Sequence, residues 1–280
     1  MSAQSKRYRA LVSSTRPIAL VTGASSGIGA ELARELAKDG HDLALVARRR
    51  EAMEALAETL KAEGAAVTII AADLGKAGAA AALAQELAAR GIALDVLINA
   101  AGLGDSGQFD RADPQKIAAM LQVNVVAVTE LTRLLLPQMV ARRRGKVMLV
   151  ASTAAFQPGP EMAVYYASKA YVLSLGRAIG YELRRTGVTV TTLCPGPTAT
   201  GFAEVAQIQG SALFSGPMPV MQAAEVARLG YAALKAGRPV VVTGLLNRII
   251  AISTRFTPPS MLLPIASGLS RARARAGAKP

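Results

Sequence analysis

Tryptophan is absent from the 280 residues, aromatic residues make up 4%, and there is one cysteine and one histidine. Each scarcity excludes something. Cys194 alone cannot build an internal disulfide framework, and Cys194 with His41 leaves almost no material for a transition-metal site. No metal is expected, and a reducing, cytoplasmic setting is the default. With few rings available, the core of a chain that is 51% hydrophobic must be made of Ala, Val, Leu and Ile. That composition suits helices packed on a parallel sheet.

Acidic residues are missing from both ends. Residues 1–16 carry Lys6, Arg7, Arg9 and Arg16, and residues 245–280 carry Arg248, Arg255, Arg271, Arg273, Arg275 and Lys279. Ten of the thirteen net charges therefore sit in the tails, and residues 17–244 hold 22 basic against 19 acidic side chains. A phosphate-tracking surface is not expected, and nucleic acid is set aside as a partner. Neither a secretory leader nor a spanning helix is expected, because the first sixteen residues hold four charges and the longest uncharged run, 205–224, is broken by Gly and Pro.

What is present is a regular alternation. Apolar β-rich runs at 18–21, 43–47, 67–71, 96–98, 147–151, 188–193 and 240–243 read as strands. Helical patterns at 30–39, 51–63, 79–90, 114–143 and 165–185 lie between them. This predicts an α/β fold: a doubly wound, Rossmann-type parallel sheet of about seven strands with helices on both faces and right-handed crossovers. The expected organisation is a basic extension (1–16), one catalytic domain (17–244) with a lid at about 197–222, and a basic apolar tail (245–280).

Such a sheet binds its ligand beyond the carboxyl ends of its strands. The first such place is TGASSGIG, residues 22–29. Gly23 permits a tight turn, Gly27 and Gly29 let a pyrophosphate approach the backbone, and the following helix offers unpaired N–H groups to an anion. A second signal is VYYASKAYVL, residues 164–173. Tyr165 and Lys169 are four apart and share a helix face, whereas Tyr166 lies about 100° away. A nearby ammonium favours the phenolate, so Tyr165 is expected to titrate well below the usual value of about 10. His41, ahead of the second strand, falls at the wrong edge of the sheet.

These motifs, with Asp73, NAAG at 99–102, Asn124, Ser152 and PGPTAT at 195–200 in this order, resemble the short-chain dehydrogenase/reductase family. The resemblance spans about 18–243 and implies hydride transfer between nicotinamide and a carbonyl or secondary alcohol. It implies catalytic roles for Ser152, which holds the substrate oxygen, Tyr165, which moves the proton, and Lys169, which lowers the tyrosine pKa and binds the nicotinamide ribose. Asn124 is assigned to a water in the proton relay, or else is a satisfied buried amide. Cofactor contacts are implied at Thr22, Gly23, Ser25, Ser26, Gly27, Ile28 and Gly29; at Arg48, Arg49, Asp73 and Leu74; at Asn99, Ala100, Ala101 and Gly102; at Tyr165 and Lys169; and at Pro195, Gly196, Thr198 and Thr200. Asp73 is also readable as a helix cap. Thr153, Ser168 and Tyr171 read as packing or capping residues. A homodimer or homotetramer is expected on the same grounds.

Arg48 stands just after the second strand, where a basic side chain pairs with the 2′-phosphate of NADP and an acidic one with the ribose of NAD. NADP(H) is therefore favoured over NAD(H). Arg142–Arg144, at the opposite edge, is read as an ordinary helix end. The lid offers Phe202, Val205, Ile208, Leu213, Phe214 and Met218 with Glu204 as its one charge, favouring an apolar, lipid-like or sterol-like substrate. In the tail, Leu245, Leu246, Ile249, Ile250, Ile252 and Phe256 form one side of a helix against Asn247, Arg248, Thr254 and Arg255. Packing of that apolar side on the body or a second subunit is favoured over peripheral membrane contact. The rival to an enzyme is a catalytically silent scaffold or sensor of the same fold, which would lack Ser152, Tyr165 or Lys169.

Overall fold

The computed structural model describes residue 11 and residues 15–215 and 219–270. Lys6, Arg7, Arg9, Met218, Arg271, Arg273, Arg275, Lys279 and the side chain of Leu213 lie outside the described residues. Seven parallel strands form one sheet: β1 (Ile18–Thr22), β2 (Asp42–Ala47), β3 (Val67–Ala71), β4 (Val96–Asn99), β5 (Gly145–Val150), β6 (Val188–Cys194) and β9 (Val240–Val242), in the order β3-β2-β1-β4-β5-β6-β9. The order reverses between β1 and β4, and the loops on either side of that switch part to leave a crevice. β1 is fully buried, as a near-continuous apolar run in a doubly covered sheet must be.

On one face, α1 (Gly27–Lys38), α2 (Arg50–Ala62) and α9 (Ala223–Lys235) bury Leu32, Leu36, Met53, Leu60 and Leu234 against the sheet. On the other lie α3 (Ala79–Ala89), the helix of α4 (Pro114–Leu121) and α5 (Val128–Ala141), and α6 (Ala163–Glu182). Residues Gln122–Ala127 join α4 to α5 as one π turn, so Pro114–Ala141 runs continuously. By length and hydropathy that helix could cross a membrane, which the reading of uncharged runs did not anticipate. Its Leu131, Leu135 and Met139 are buried in the sheet core, as in a core helix.

Short strands β7 (Thr198–Ala199) and β8 (Met221–Gln222) pair with each other and pin both ends of the segment between them, which holds α7 (Phe202–Val205) and α8 (Ala212–Ser215). The chain ends in α10 (Leu245–Ser253) and α11 (Pro259–Ser270). Of the packing expected for the tail, the apolar side does not cover the chain's own body. Asn247 and Ala251 of α10 face the body, while Leu245, Leu246, Ile249, Ile252 and Phe256 are exposed. Asn247 is drawn in because its amide donates to the Thr243 carbonyl at 2.9 Å and its side chain fits the space left by Gly196, where a Cβ would collide with it.

The basic triplet at 142–144 lies at the amino edge, as expected: Arg144 pairs with Asp95 at 3.1 Å, and Arg142 donates to the Leu94 carbonyl. His41 is also at this edge, its ring nitrogen 3.2 Å from the Leu36 carbonyl, and burial lowers its pKa.

Candidate active site

A continuous cleft of about 550 Å³ runs along the carboxyl edge of the sheet. Its floor at one end is the turn after β1. Gly23 has φ +68° and Gly27 has φ +57°, and a Cβ on Gly23 would lie 2.8 Å from the Ala101 nitrogen. A Cβ on Gly29 would strike the Gly23 carbonyl, so α1 can start here only with glycine at that position. A Cβ on Gly27 would meet the Thr200 methyl at 2.9 Å. The bare backbone between the turn and Thr200 leaves room that a pyrophosphate would fit, as part of an extended dinucleotide.

Ser25, Ser26, Ile28, Arg48, Arg49, Asp73 and Leu74 line this end of the cleft with the three glycines. Arg49 crosses to the glycine turn, donating to Ser25 at 3.3 Å and Ser26 at 3.1 Å. Arg48 is exposed at the rim. Asp73 accepts from the Gly75 backbone at 3.0 Å and so closes its own turn; the cap of the next helix is Gly78, not Asp73. Ala100, Ala101, Gly102, Pro195, Gly196, Thr198 and Thr200 complete the walls.

Three predicted residues stand behind the wall. Thr22 accepts from the Ala100 and Ala101 nitrogens at 3.0 and 3.1 Å and ties the β1 and β4 turns together. Asn99 donates to Thr132 at 3.1 Å inside the core. Asn124, in the π turn, is buried: its carbonyl oxygen accepts from Leu103 N at 2.9 Å, and its amide donates to Leu103 O at 2.9 Å and Ser168 Oγ at 3.0 Å. Its side chain is thus a satisfied amide that fixes Leu103, a residue of the cleft wall, to α6. Ser168, read from the sequence as a packing or capping residue, also donates its hydroxyl to the Tyr165 carbonyl at 2.7 Å. Ser168→Ala removes one partner of a buried amide and should lower stability by about 1–3 kcal/mol. Denaturant unfolding checks this, and an unchanged midpoint would contradict it.

At the other end of the cleft Ser152, Tyr165 and Lys169 converge. Ser152 follows β5; its Oγ accepts from Ala154 N at 3.1 Å and hydrogen-bonds the Tyr165 phenol. Lys169 donates to Val150 O at 3.0 Å, and its ammonium is 5.7 Å from the centre of the Tyr165 ring. A Cβ on Gly102 would come within 3.3 Å of that ammonium, so the glycine leaves the lysine its channel. Burial dominates the electrostatics. It pushes Tyr165 up to about 12, against the Ser152 hydrogen bond, and Lys169 down to about 8. The expected acidic phenol is therefore corrected: Lys169 aims its proton at the strand end, and desolvation outweighs any help it gives. Cys194, deep in the core beneath, is pushed up to about 12 by burial and is inert.

Beyond Tyr165 the cleft is apolar. Phe202 packs on Tyr165 with ring centres 5.2 Å apart, over Gly104, which has no room for a Cβ. Ile208, Phe214, Met162 and Tyr166 continue this wall, with Val205 and Glu204 toward solvent. Met162 and Tyr166 were not anticipated; their four-residue spacing was the available signal, since it places both on one face of the chain entering α6.

The family model described as short chain dehydrogenase matches residues 17–209. A ketoacyl reductase (HetN) of Nostoc is 36% identical over 177 residues, covering 63% of this chain and 62% of that protein. Among solved structures, a short-chain dehydrogenase from Sphingobium yanoikuyae in complex with NADPH is 31% identical, with a TM-score of 0.76, over 86% of this chain and 93% of that one. A short chain dehydrogenase/reductase from Burkholderia phymatum in complex with NAD is 26% identical, with a TM-score of 0.76, over 92% of this chain and 98% of that one.

Proposed function

The chain belongs to the short-chain dehydrogenase family, an oxidoreductase family acting between carbonyl and alcohol with a nicotinamide cofactor, and from that premise we propose that it is NADP(H)-dependent and acts on an apolar substrate. The observation that carries the reading is the meeting of Ser152, Tyr165 and Lys169 at the junction of the glycine cradle with an apolar chamber. When bound, the nicotinamide supplies or accepts the hydride. Ser152 Oγ holds the substrate oxygen and Tyr165 Oη gives it a proton in reduction or removes one in oxidation. Lys169 Nζ, confined between Val150 O and Gly102, holds the ribose and stabilises charge that develops on the phenol. Arg48 and Arg49 meet the 2′-phosphate. Phe202, Tyr166, Ile208 and Phe214 bury the hydrocarbon part of the substrate and exclude water.

A phenol raised to about 12 stays protonated through neutral pH, so it is already in the form that reduction requires. kcat/KM for reduction should be level through neutral pH and fall as Lys169 discharges above about 8. Oxidation needs the phenolate, so its kcat/KM should climb through neutral pH and level off above about 8, where Lys169 discharges. Profiles in both directions check this; an oxidation rate that falls on the alkaline side would contradict it.

NADPH and NADH oxidation, followed with matched panels of long-chain ketones and sugar-like carbonyls, tests the function itself. Turnover with NADPH and apolar ketones is expected. Silence on both panels, with NADPH bound, would favour the scaffold.

A further inference from the structure

We propose that the C-terminal helices dock the protein on an anionic lipid surface, with the lid side of the cleft against the bilayer. At 100° per residue, Leu245, Ile249 and Ile252 of α10 fall within about 60° of one another. Asn247 and Ala251 lie on the opposite side and are buried against the body. Leu245 is 75% exposed, Ile249 55% and Ile252 51%, and Phe256, which follows the helix, is 81% exposed. Met261 and Ile265, one turn apart on α11, are exposed as well. A soluble domain rarely leaves so many large side chains together in water without a partner for them.

The charge identifies the partner. Glu225 is the last carboxylate side chain of the sequence given, and every charged side chain after it is basic. Arg248, exposed, lies about 60° from the apolar stripe, where its stem can run along the lipid boundary and its guanidinium reach phosphate. Arg255 is exposed beside Phe256, and the sequence goes on to Arg271, Arg273, Arg275 and Lys279. Apolar residues set beside arginines, with no acid among them, match a layer of acyl chains under anionic headgroups. A second copy is a poorer match. A two-fold contact through this patch would bring Arg248 and Arg255 toward their own images with no acid of the tail to pair them.

The patch is also joined to the cleft. α11 packs on α8, the lid helix that carries Phe214 into the apolar chamber. On the reading proposed above, docking would set the chamber's mouth where a bilayer-dissolved substrate enters; the docking itself does not rest on that reading.

The test is sedimentation of the full-length protein with vesicles of phosphatidylcholine, or of phosphatidylcholine mixed equally with phosphatidylglycerol. The wild-type chain should pellet with the mixed vesicles only, and less as salt rises. Arg248→Gln and Arg255→Gln should each weaken partition by about fivefold. The exposed triple variant Leu245→Ser, Ile249→Ser, Phe256→Ser should stay in the supernatant with its circular dichroism and Tm unchanged. Equal recovery of wild type with and without mixed vesicles would overturn the proposal. So would a triple variant that pellets like wild type, or one that elutes as a smaller assembly than wild type, which would make the patch a contact between copies.

Discussion

Tyr165→Phe should reduce kcat for carbonyl reduction by about 10²–10⁴-fold, the range lost with a positioned general acid, while dinucleotide affinity is unchanged. The ring would keep its packing on Phe202, and only the hydroxyl bonded to Ser152 would go. Three other titratable groups of the chain are not placed to replace it. His41 is at the far edge of the sheet, Cys194 is buried and protonated, and Lys169 donates to the end of β5. Ser152→Ala should be milder, about 10²–10³-fold, because it removes one donor to the oxygen but leaves the proton source. Steady-state kinetics with fluorescence titration of NADPH separates the two effects. A Tyr165→Phe enzyme with wild-type turnover would remove the proposed chemistry from this cleft.

Arg48→Ala should weaken NADPH binding by about 10–100-fold and leave NADH binding almost unaltered. That range corresponds to about 1.5–3 kcal/mol for a hydrogen bond to a charged group, and the exposed position of Arg48 points to its lower end. The arginines sit at the start of α2, where the helix dipole disfavours them. Arg50 pairs with Glu54 at 3.5 Å, and Arg49 is held by the serines of the glycine turn. Arg48 is thus the side chain placed to change partner with the cofactor. Paired titrations with the two nucleotides give the answer, and equal losses for both would mean that the phosphate is read elsewhere.

The sheet was legible because its strands are apolar runs of three to seven residues spaced by amphipathic helices, and the glycine turn because its spacing after a strand has one mechanical use. The pairing of Tyr165 with Lys169 on one face followed from helical periodicity alone. The direction of the tyrosine's shift did not, because it depends on burial by Phe202 and Tyr166 and on the lysine's turn toward Val150, contacts that link α6 to the lid and to β5. Ser168 and Asn124 stand 44 residues apart, and they meet where the π turn lies against α6. The contact of the tail with the body was illegible for a different reason. Periodicity separated its apolar and polar sides, but which side faces the body was decided by one asparagine fitting over Gly196.

The central claim is that this cleft moves a hydride between nicotinamide and a carbonyl carbon, with the proton passing through Tyr165. Its most direct test is reduction of an apolar ketone by NADPH deuterated at the transferable C4 position, with mass analysis of the alcohol. The account predicts deuterium on the carbinol carbon with the wild-type enzyme and almost none over the same time with Tyr165→Phe. Alcohol without deuterium, or equal labelled product from the two enzymes, would contradict it.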